Sequence, residues 1–295
     1  MLLTSPVACD KIRSMGKITL RDYQREAVKF ALKVPKSIFC MRVGSGKTIC
    51  AMFTMRALLK RKLTDKVIVG CTKTAVSVFK EDFEEKAGIK PNLIEDEEEF
   101  FKFLSSNEKL CLIKHSMFKK LGSNLTNIKQ LNKIKAETGV RVTLVIDEAH
   151  KMQNPEGIEH EAFQRISNIF ENIYLYTATP YSSCLSQFYG LIHLIYPKLW
   201  KSRKEFFDNY IDEVTIYDPR THRVARKEKV RYKNLKEFRQ KIEPFTYFYY
   251  PAIPLQHIEH TTKLSPEHLR EYDTLCQGLI TDEMREKMEK NKKND

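Results

Sequence analysis

Arg42-Val43-Gly44-Ser45-Gly46-Lys47-Thr48 lies between a short apolar run, Ser37–Met41, and a helical pattern over 47–62. No other stretch constrains the fold as much. Glycines let backbone N–H groups wrap a phosphate, and a helix opening directly behind them adds a favourable field. In this context Lys47 reaches β- and γ-phosphates, and Thr48 offers its hydroxyl to Mg²⁺. Gly44, Ser45 and Gly46 form the cradle. Met41 departs from the eight-residue pattern, which usually begins with a small residue.

The chain around this loop alternates between two periods. Ser37–Met41, Lys66–Cys71, Lys109–Lys114, Val140–Ile146 and Asn172–Thr177 read as short buried strands. Helical patterns lie at 21–33, 47–62, 73–86, 96–105 and 156–169. This rhythm predicts an α/β fold with a parallel sheet covered by helices on both faces. Ligands are expected beyond the carboxyl ends of its strands. The rhythm stops near residue 200. Val214–Tyr217 and Val224–Val230 flank Asp218–His222 and read as a hairpin, followed by a helix at 233–242 and the aromatic, Pro-broken Phe245–Pro254. A last helix is expected from Pro266 to about Lys290. The domain reading is an ATP-binding lobe over 1–200, a basic hairpin and helical annex over 201–260, and a helical tail over 261–295.

Three further elements accompany the loop. Leu144-Val145-Ile146 leads into Asp147-Glu148-Ala149-His150. At a strand end Asp147 is placed to hold Mg²⁺, and Glu148 to orient and deprotonate an attacking water. Thr177-Ala178-Thr179-Pro180 ends the next strand, where Thr177 and Thr179 are expected to contact the Asp147–His150 segment and sense a γ-phosphate. Upstream, Leu20-Arg21-Asp22-Tyr23-Gln24 precedes a helix, and the Gln24 amide offers a donor and an acceptor to an adenine edge.

In this order the elements resemble superfamily 2 helicases and translocases. LRDYQREAV, MRVGSGKT, VIVGCTKTAVSVFKEDFEE, VIDEAHKMQNP and YTATPYSSCLSQFYGLIHLIYPKLW are similar to the first, RecA-like motor lobe of Swi/Snf-type ATPases. The likeness runs from about residue 18 to about 280, with Asn154 and the Thr179-Pro180 step suiting the subfamily. It implies a DEAH-box, double-stranded-DNA-dependent ATPase that uses ATP and Mg²⁺. His150 would couple hydrolysis to motion, and Thr72 and Lys73 would touch phosphates of the tracked strand. It also implies a second RecA-like lobe with an arginine finger, in a missing C-terminal part or in a separate polypeptide. Slow hydrolysis by this chain alone is therefore expected. Thr246-Tyr247-Phe248-Tyr249-Tyr250 departs from the basic stretch the family carries there.

Charge fits a polyanion partner. Lys+Arg 51 against Asp+Glu 38 gives a net +13. Ten cations fall between Pro219 and Lys241, among them Arg220, Arg223, Arg226, Lys227, Lys229 and Arg231, against Glu228 and Glu237 alone. Such a stretch suits a duplex backbone without base reading, or a solvated basic face. Seven scattered cysteines without a CxxC read as free thiols of a reducing compartment, cytoplasmic or nuclear. No run of 18 apolar residues exists, so no membrane span is expected, and the first residues lack a secretory pattern. The compact lysine-rich form suggests a virus- or phage-encoded protein. Two other classes compete with the motor lobe: a non-catalytic ATP-responsive DNA-binding module, and a small-molecule kinase, which Gln24 and the Thr-Ala-Thr-Pro element disfavour.

Overall fold

The computed structural model describes residues 14–15, 18–180, 185–217 and 224–250. The short strands β1 (Ser14–Met15) and β2 (Ile18–Thr19) pair antiparallel at its start. The main sheet holds β3 (Lys36–Met41), β4 (Lys66–Cys71), β5 (Asn92–Ile94), β6 (Leu110–Lys114), β7 (Val142–Ile146) and β8 (Phe170–Thr177). The strands β9 (Ile211–Tyr217) and β10 (Val224–Tyr232) form a separate hairpin, and β11 (Thr246–Tyr249) returns to the main sheet. The order in that sheet is β11-β3-β8-β7-β4-β6-β5, and every pair is parallel.

The helices are α1 (Asp22–Lys33), α2 (Lys47–Lys60), α3 (Val76–Asp82), α4 (Glu97–Ser105) and α5 (Ser116–Ser123). They continue with α6 (Leu125–Thr138), α7 (Ile158–Ile166), α8 (Leu185–Ile195), α9 (Arg203–Tyr210) and α10 (Leu235–Ile242). No helix among the described residues is long and apolar enough to cross a membrane.

Alternation along each strand divides the core in two. Phe39, Met41, Val67, Val69, Tyr174 and Tyr176 pack with α1, α2 and α3 on one face. Ile38, Cys40, Ile68, Ile113, Leu144 and Leu175 pack with the later helices on the other. Both faces are covered, so β4 and β7 are buried at every position, which is why they read as mainly apolar runs broken only by Lys66 and Thr143. Helix α2 buries Cys50, Ala51, Met52, Phe53, Thr54, Met55 and Leu58, so it sits within the core rather than on it.

The structure revises the sequence reading in several places. Residues 116–138 form α5 and α6, which periodicity alone did not reveal. Their punctuation is present: Asn124 caps α6 by accepting from the Thr126 N–H at 2.8 Å, and Gly139 ends it at φ 62°. The stretch 73–86 is a 3₁₀ turn, then α3, then a π turn over Phe83–Ala87. Thr246–Tyr249 is no part of an annex, because it pairs with β3 as an edge strand. Its tyrosines explain this: the Tyr247 hydroxyl donates to the Tyr23 carbonyl at 2.8 Å, and Tyr249 stacks on Tyr23 at 3.7 Å. Trp200, Phe206, Tyr210 and Phe238 join the same apolar cluster as the sheet, so α9 and α10 pack onto the core. The Asp218–His222 turn, the helix from Pro266, and Cys9, Cys184 and Cys276 lie outside the described residues.

Helix α8 grips the segment after β7. A Cβ at Gly190 would lie 1.5 Å from the Gln153 carbonyl oxygen, so only glycine permits this approach. Three residues on, His193 Nδ1 meets His160 Nε2 at 2.8 Å, while His160 Nδ1 meets the Met152 carbonyl at 2.8 Å. A carbonyl only accepts, so Nδ1 of His160 carries the proton and its Nε2 accepts from His193. Burial pushes the His160 pKa down from 6.5 to about 4.

The folded state therefore excludes a proton that the unfolded chain takes up. This stability is complete above pH 6.5 and falls as pH drops toward 4, by up to about 3 kcal/mol. In His160→Asn the amide replaces the Nδ1 donor without titrating. Urea midpoints from pH 7 to pH 5 should fall clearly less in this variant than in wild type; equal slopes would show that the proton is taken up elsewhere.

Candidate nucleotide and nucleic-acid site

Sheet order decides which loops meet. At the carboxyl edge, β8 lies between β3 and β7, and β4 lies beyond β7. The edge therefore carries, in sequence, Tyr249, the 42–48 loop, Thr177–Thr179, Asp147–His150 and Thr72–Lys73. The chain jumps from β3 over β8 and β7 to β4, and such switch points bind ligands in doubly wound sheets.

The 42–48 loop is built for phosphate. Gly44 and Gly46 hold φ of 76° and 81°, conformations that disfavour a side chain. Ser45 folds back, its N–H and hydroxyl both donating to the Arg42 carbonyl, at 3.2 and 2.6 Å. No side chain caps the first turn of α2, so its N-terminal N–H groups face the loop. Lys47 and Thr48 are half-buried.

Gln24 is 5 % exposed and braces this loop. Its Nε2 donates to the Ser45 carbonyl at 3.0 Å, and its Oε1 accepts from the Arg21 N–H at 2.9 Å. The Tyr23 hydroxyl donates to the same Ser45 carbonyl at 3.0 Å. A Cβ at Gly46 would come 2.4 Å from Gln24 Nε2. Gln24 thus packs on the phosphate loop, with one N–H and one lone pair left over from these two bonds.

The acidic pair sits beside it. Burial, and next the Glu148 carboxylate, push the Asp147 pKa up to about 6, while Lys47 pulls it down. Glu148 adopts φ 48° and ψ 45°, left-handed backbone that costs a non-glycine residue about 1–2 kcal/mol. His150 Nδ1 lies 3.2 Å from Glu148 Oε2 and 3.1 Å from Thr177 Oγ1. The Thr177 hydroxyl also accepts from the Thr179 N–H at 3.1 Å. Thr177 is buried and Thr179 exposed. The P-loop, the carboxylates and the threonine turn are thereby brought together.

No cluster of three or more His, Cys, Asp and Glu suited to a metal occurs among the described residues. Mg²⁺ commonly takes one or two protein oxygens plus phosphates, and Thr48 with Asp147 supply such a sparse set. The residues present fit the ion.

The proposed nucleic-acid residues are dispersed. Thr72 and Lys73 follow β4, Lys73 exposed and Thr72 sharing a hydrogen bond with the Thr74 hydroxyl at 3.2 Å. Arg226, Lys227, Lys229 and Arg231 lie along β10, and Arg220 and Arg223 fall outside the described residues. In the backbone register Lys229 falls opposite Glu213 and Arg231 opposite Asp212. Two cations of the stretch form ion pairs, Lys233 with Asp212 at 2.7 Å and Lys241 with Glu237 at 3.3 Å.

Residues 17–182 match the family described as type III restriction enzyme, res subunit. The chain belongs to this family. It is a superfamily 2 motor lobe of the Swi/Snf type, with the RecA-like α/β fold, in a family of helicase-type ATPases. DNA repair protein rhp54 of Schizosaccharomyces pombe is 24% identical over 222 residues, 65% of this chain and 24% of that protein. Chromodomain-helicase-DNA-binding protein 1-like of Mus musculus is 25% identical over 219 residues, 66% of this chain and 22% of that protein. This member of the family thus spans about a quarter of those relatives. Its fold matches the Sulfolobus solfataricus SWI2/SNF2 ATPase core in complex with dsDNA, with a TM-score of 0.58 at 17% identity over 80% of this chain and 45% of that one.

Proposed function

We propose that this chain is the ATP-binding and hydrolysing lobe of a motor that tracks double-stranded DNA. The observation that carries the reading is the bridge His150 makes between Glu148 and Thr177, directly beside the P-loop. A phosphate cradle alone only binds. A carboxylate held next to that cradle, on a histidine that also touches the neighbouring strand end, supports hydrolysis and its coupling to movement.

The P-loop N–H groups and Lys47 hold the phosphates. Thr48 and Asp147 would hold Mg²⁺, which would supply positive charge against the phosphoryl oxygens. Glu148 takes the proton of the attacking water as its oxygen bonds to the γ-phosphorus and the bond to the β-phosphate oxygen breaks, releasing ADP and phosphate. Gln24 keeps enough hydrogen-bonding capacity for an adenine edge. An intact Glu148 favours this reading over a module that binds ATP without hydrolysing it. Val43 at the tip of the loop is 75% exposed. An open cradle of this kind suits closure by a second RecA-like lobe bringing an arginine, a group worth about 10³ to 10⁵ in rate where it is used. The buried free thiols Cys40, Cys50, Cys71 and Cys111 suit a reducing compartment, cytoplasmic or nuclear.

DNA as the track follows from the resemblance and from relatives whose names place them on DNA. Thr72 and Lys73 stand next to the acidic pair, because β4 pairs with β7. The hairpin strand β10 supplies a second set of cations.

ATP turnover should rise when duplex DNA is added, and Lys47→Ala should abolish nucleotide binding; undiminished ATP affinity in that variant would move the phosphate site elsewhere. Glu148→Gln is expected to bind ATP normally with turnover at background, and surviving hydrolysis would exclude Glu148 as the base. Lys73→Glu and the double change Arg226→Glu with Lys227→Glu should each weaken duplex binding and flatten its salt slope by about one for every phosphate no longer neutralised. An unchanged slope in either variant would make that group a plain solvated surface.

A further inference from the structure

His115 stands between the two halves of this site, at the step from β6 into α5. Its side chain is 7% exposed, and its Nε2 lies 3.0 Å from the Asp147 carbonyl oxygen. A carbonyl only accepts, so the ring carries its proton on Nε2 and donates it there. The His115 backbone N–H donates to the Cys71 carbonyl at 3.1 Å, one residue before Thr72. The Asp147 N–H donates to the Gly70 carbonyl at 2.9 Å. Gly70 leaves room for this arrangement, since a Cβ there would lie 3.1 Å from the Phe118 ring and 3.8 Å from His115 Cδ2.

The bonded carbonyl belongs to the Asp147–Glu148 peptide, and Glu148 follows it in left-handed backbone at φ 48°. A strained residue keeps such a conformation only when its surroundings over-determine it. On the far side, the Lys151 N–H donates to the Glu148 carbonyl at 3.0 Å. On the near side the imidazole of His115 orients the peptide plane.

We propose that His115 is the positioning residue of this site: it clamps the Asp147–Glu148 peptide so that Glu148 points at the water, and it ties that peptide to the strand end bearing Thr72 and Lys73. The inference rests on the hydrolase reading above for its effect on rate, but the clamp itself is a property of the polypeptide. A shift of the β4 end by bound duplex would move the Cys71 carbonyl, then His115, then the Asp147 carbonyl. His115 is thus the shortest side-chain route between the nucleic-acid edge and the base.

The test compares wild type, His115→Phe and His115→Gln in the full chain. Phe keeps the ring volume without a donor, while Gln places an N–H at nearly the reach of Nε2. Amide hydrogen exchange of 147–152 should be about 10- to 100-fold faster in His115→Phe, the factor one unsatisfied buried acceptor is worth, and near wild type in His115→Gln. DNA-stimulated kcat should fall by a similar factor in His115→Phe, with KM for ATP little changed, and Gln should rescue it. Should Phe not fold, His115→Asn, whose amide stops short of the carbonyl, carries the same comparison. Unaltered exchange in the donor-less variants would overturn the clamp, as would equal damage in Gln and Phe. Wild-type turnover no higher than that of Lys47→Ala would instead overturn the hydrolase reading, while the exchange data would still decide the clamp.

Discussion

A parallel sheet covered on both faces meets polar ligands only at its ends, and this constraint organises the molecule. Residues that pack the two cores alternate along β3, β4, β7 and β8, and polar side chains within them are turned inward onto protein partners, as Asn172 is on Thr143. Chemistry is therefore confined to the residues where each strand runs out. Strand order converts distances along the chain into adjacency: Lys47, Asp147 and Thr177 are far apart in sequence, yet they follow three neighbouring strands. At such an edge the apolar core lowers the local dielectric under the carboxylates, which is what raises the Asp147 pKa to about 6.

The same edge stores strain. Glu148 in left-handed backbone is held by bonds on both sides: the Asp147 carbonyl on His115, the Glu148 carbonyl on the Lys151 N–H, and its side chain on His150. Beyond it, the 3₁₀ turn Ala149–Met152 is anchored through the Met152 carbonyl to the His160–His193 pair, and Gly190 lets α8 close on Gln153. Helix α8 follows the Thr177–Pro180 turn in the chain. A displacement at either strand end is thereby resisted by packing on the other, as expected where two neighbouring loops respond together to one ligand.

What could be read in the sequence is what local backbone chemistry dictates. The phosphate loop was legible because glycines at positive φ between an apolar run and a helix have few other uses. Asp147 and Glu148 were legible because carboxylates directly after the apolar run Leu144–Ile146 are conspicuous. The central strands carried the right period for the same reason. His115 was not legible. It lies 32 residues from Asp147, and only the β4 pairings to β6 and β7 bring the two together. Strand β11 escaped for a related reason: Thr246–Tyr249 looks like a loose aromatic segment until Tyr23 and Tyr247 are seen to bury its inner face. Gln24 was found as a donor–acceptor pair, but its grip on Ser45 needed the fold.

Charge shows most clearly why a count along the chain is not a surface. The stretch 219–241 holds ten cations against two glutamates. Once β10 pairs with β9, however, Asp212 and Glu213 fall in register with Arg231 and Lys229. Strand β9 brings two carboxylates and β10 four cations with Glu228, so the two strands together carry a net +1. Lys233 and Lys241 are engaged by Asp212 and Glu237. The net charge of the hairpin is thus smaller than the linear count suggests. Lys73 counts for more than its single charge, because it projects from the sheet edge that carries the acidic pair. Under the proposed reading, a phosphate bound there would meet the strand end to which His115 and Asp147 are hydrogen-bonded.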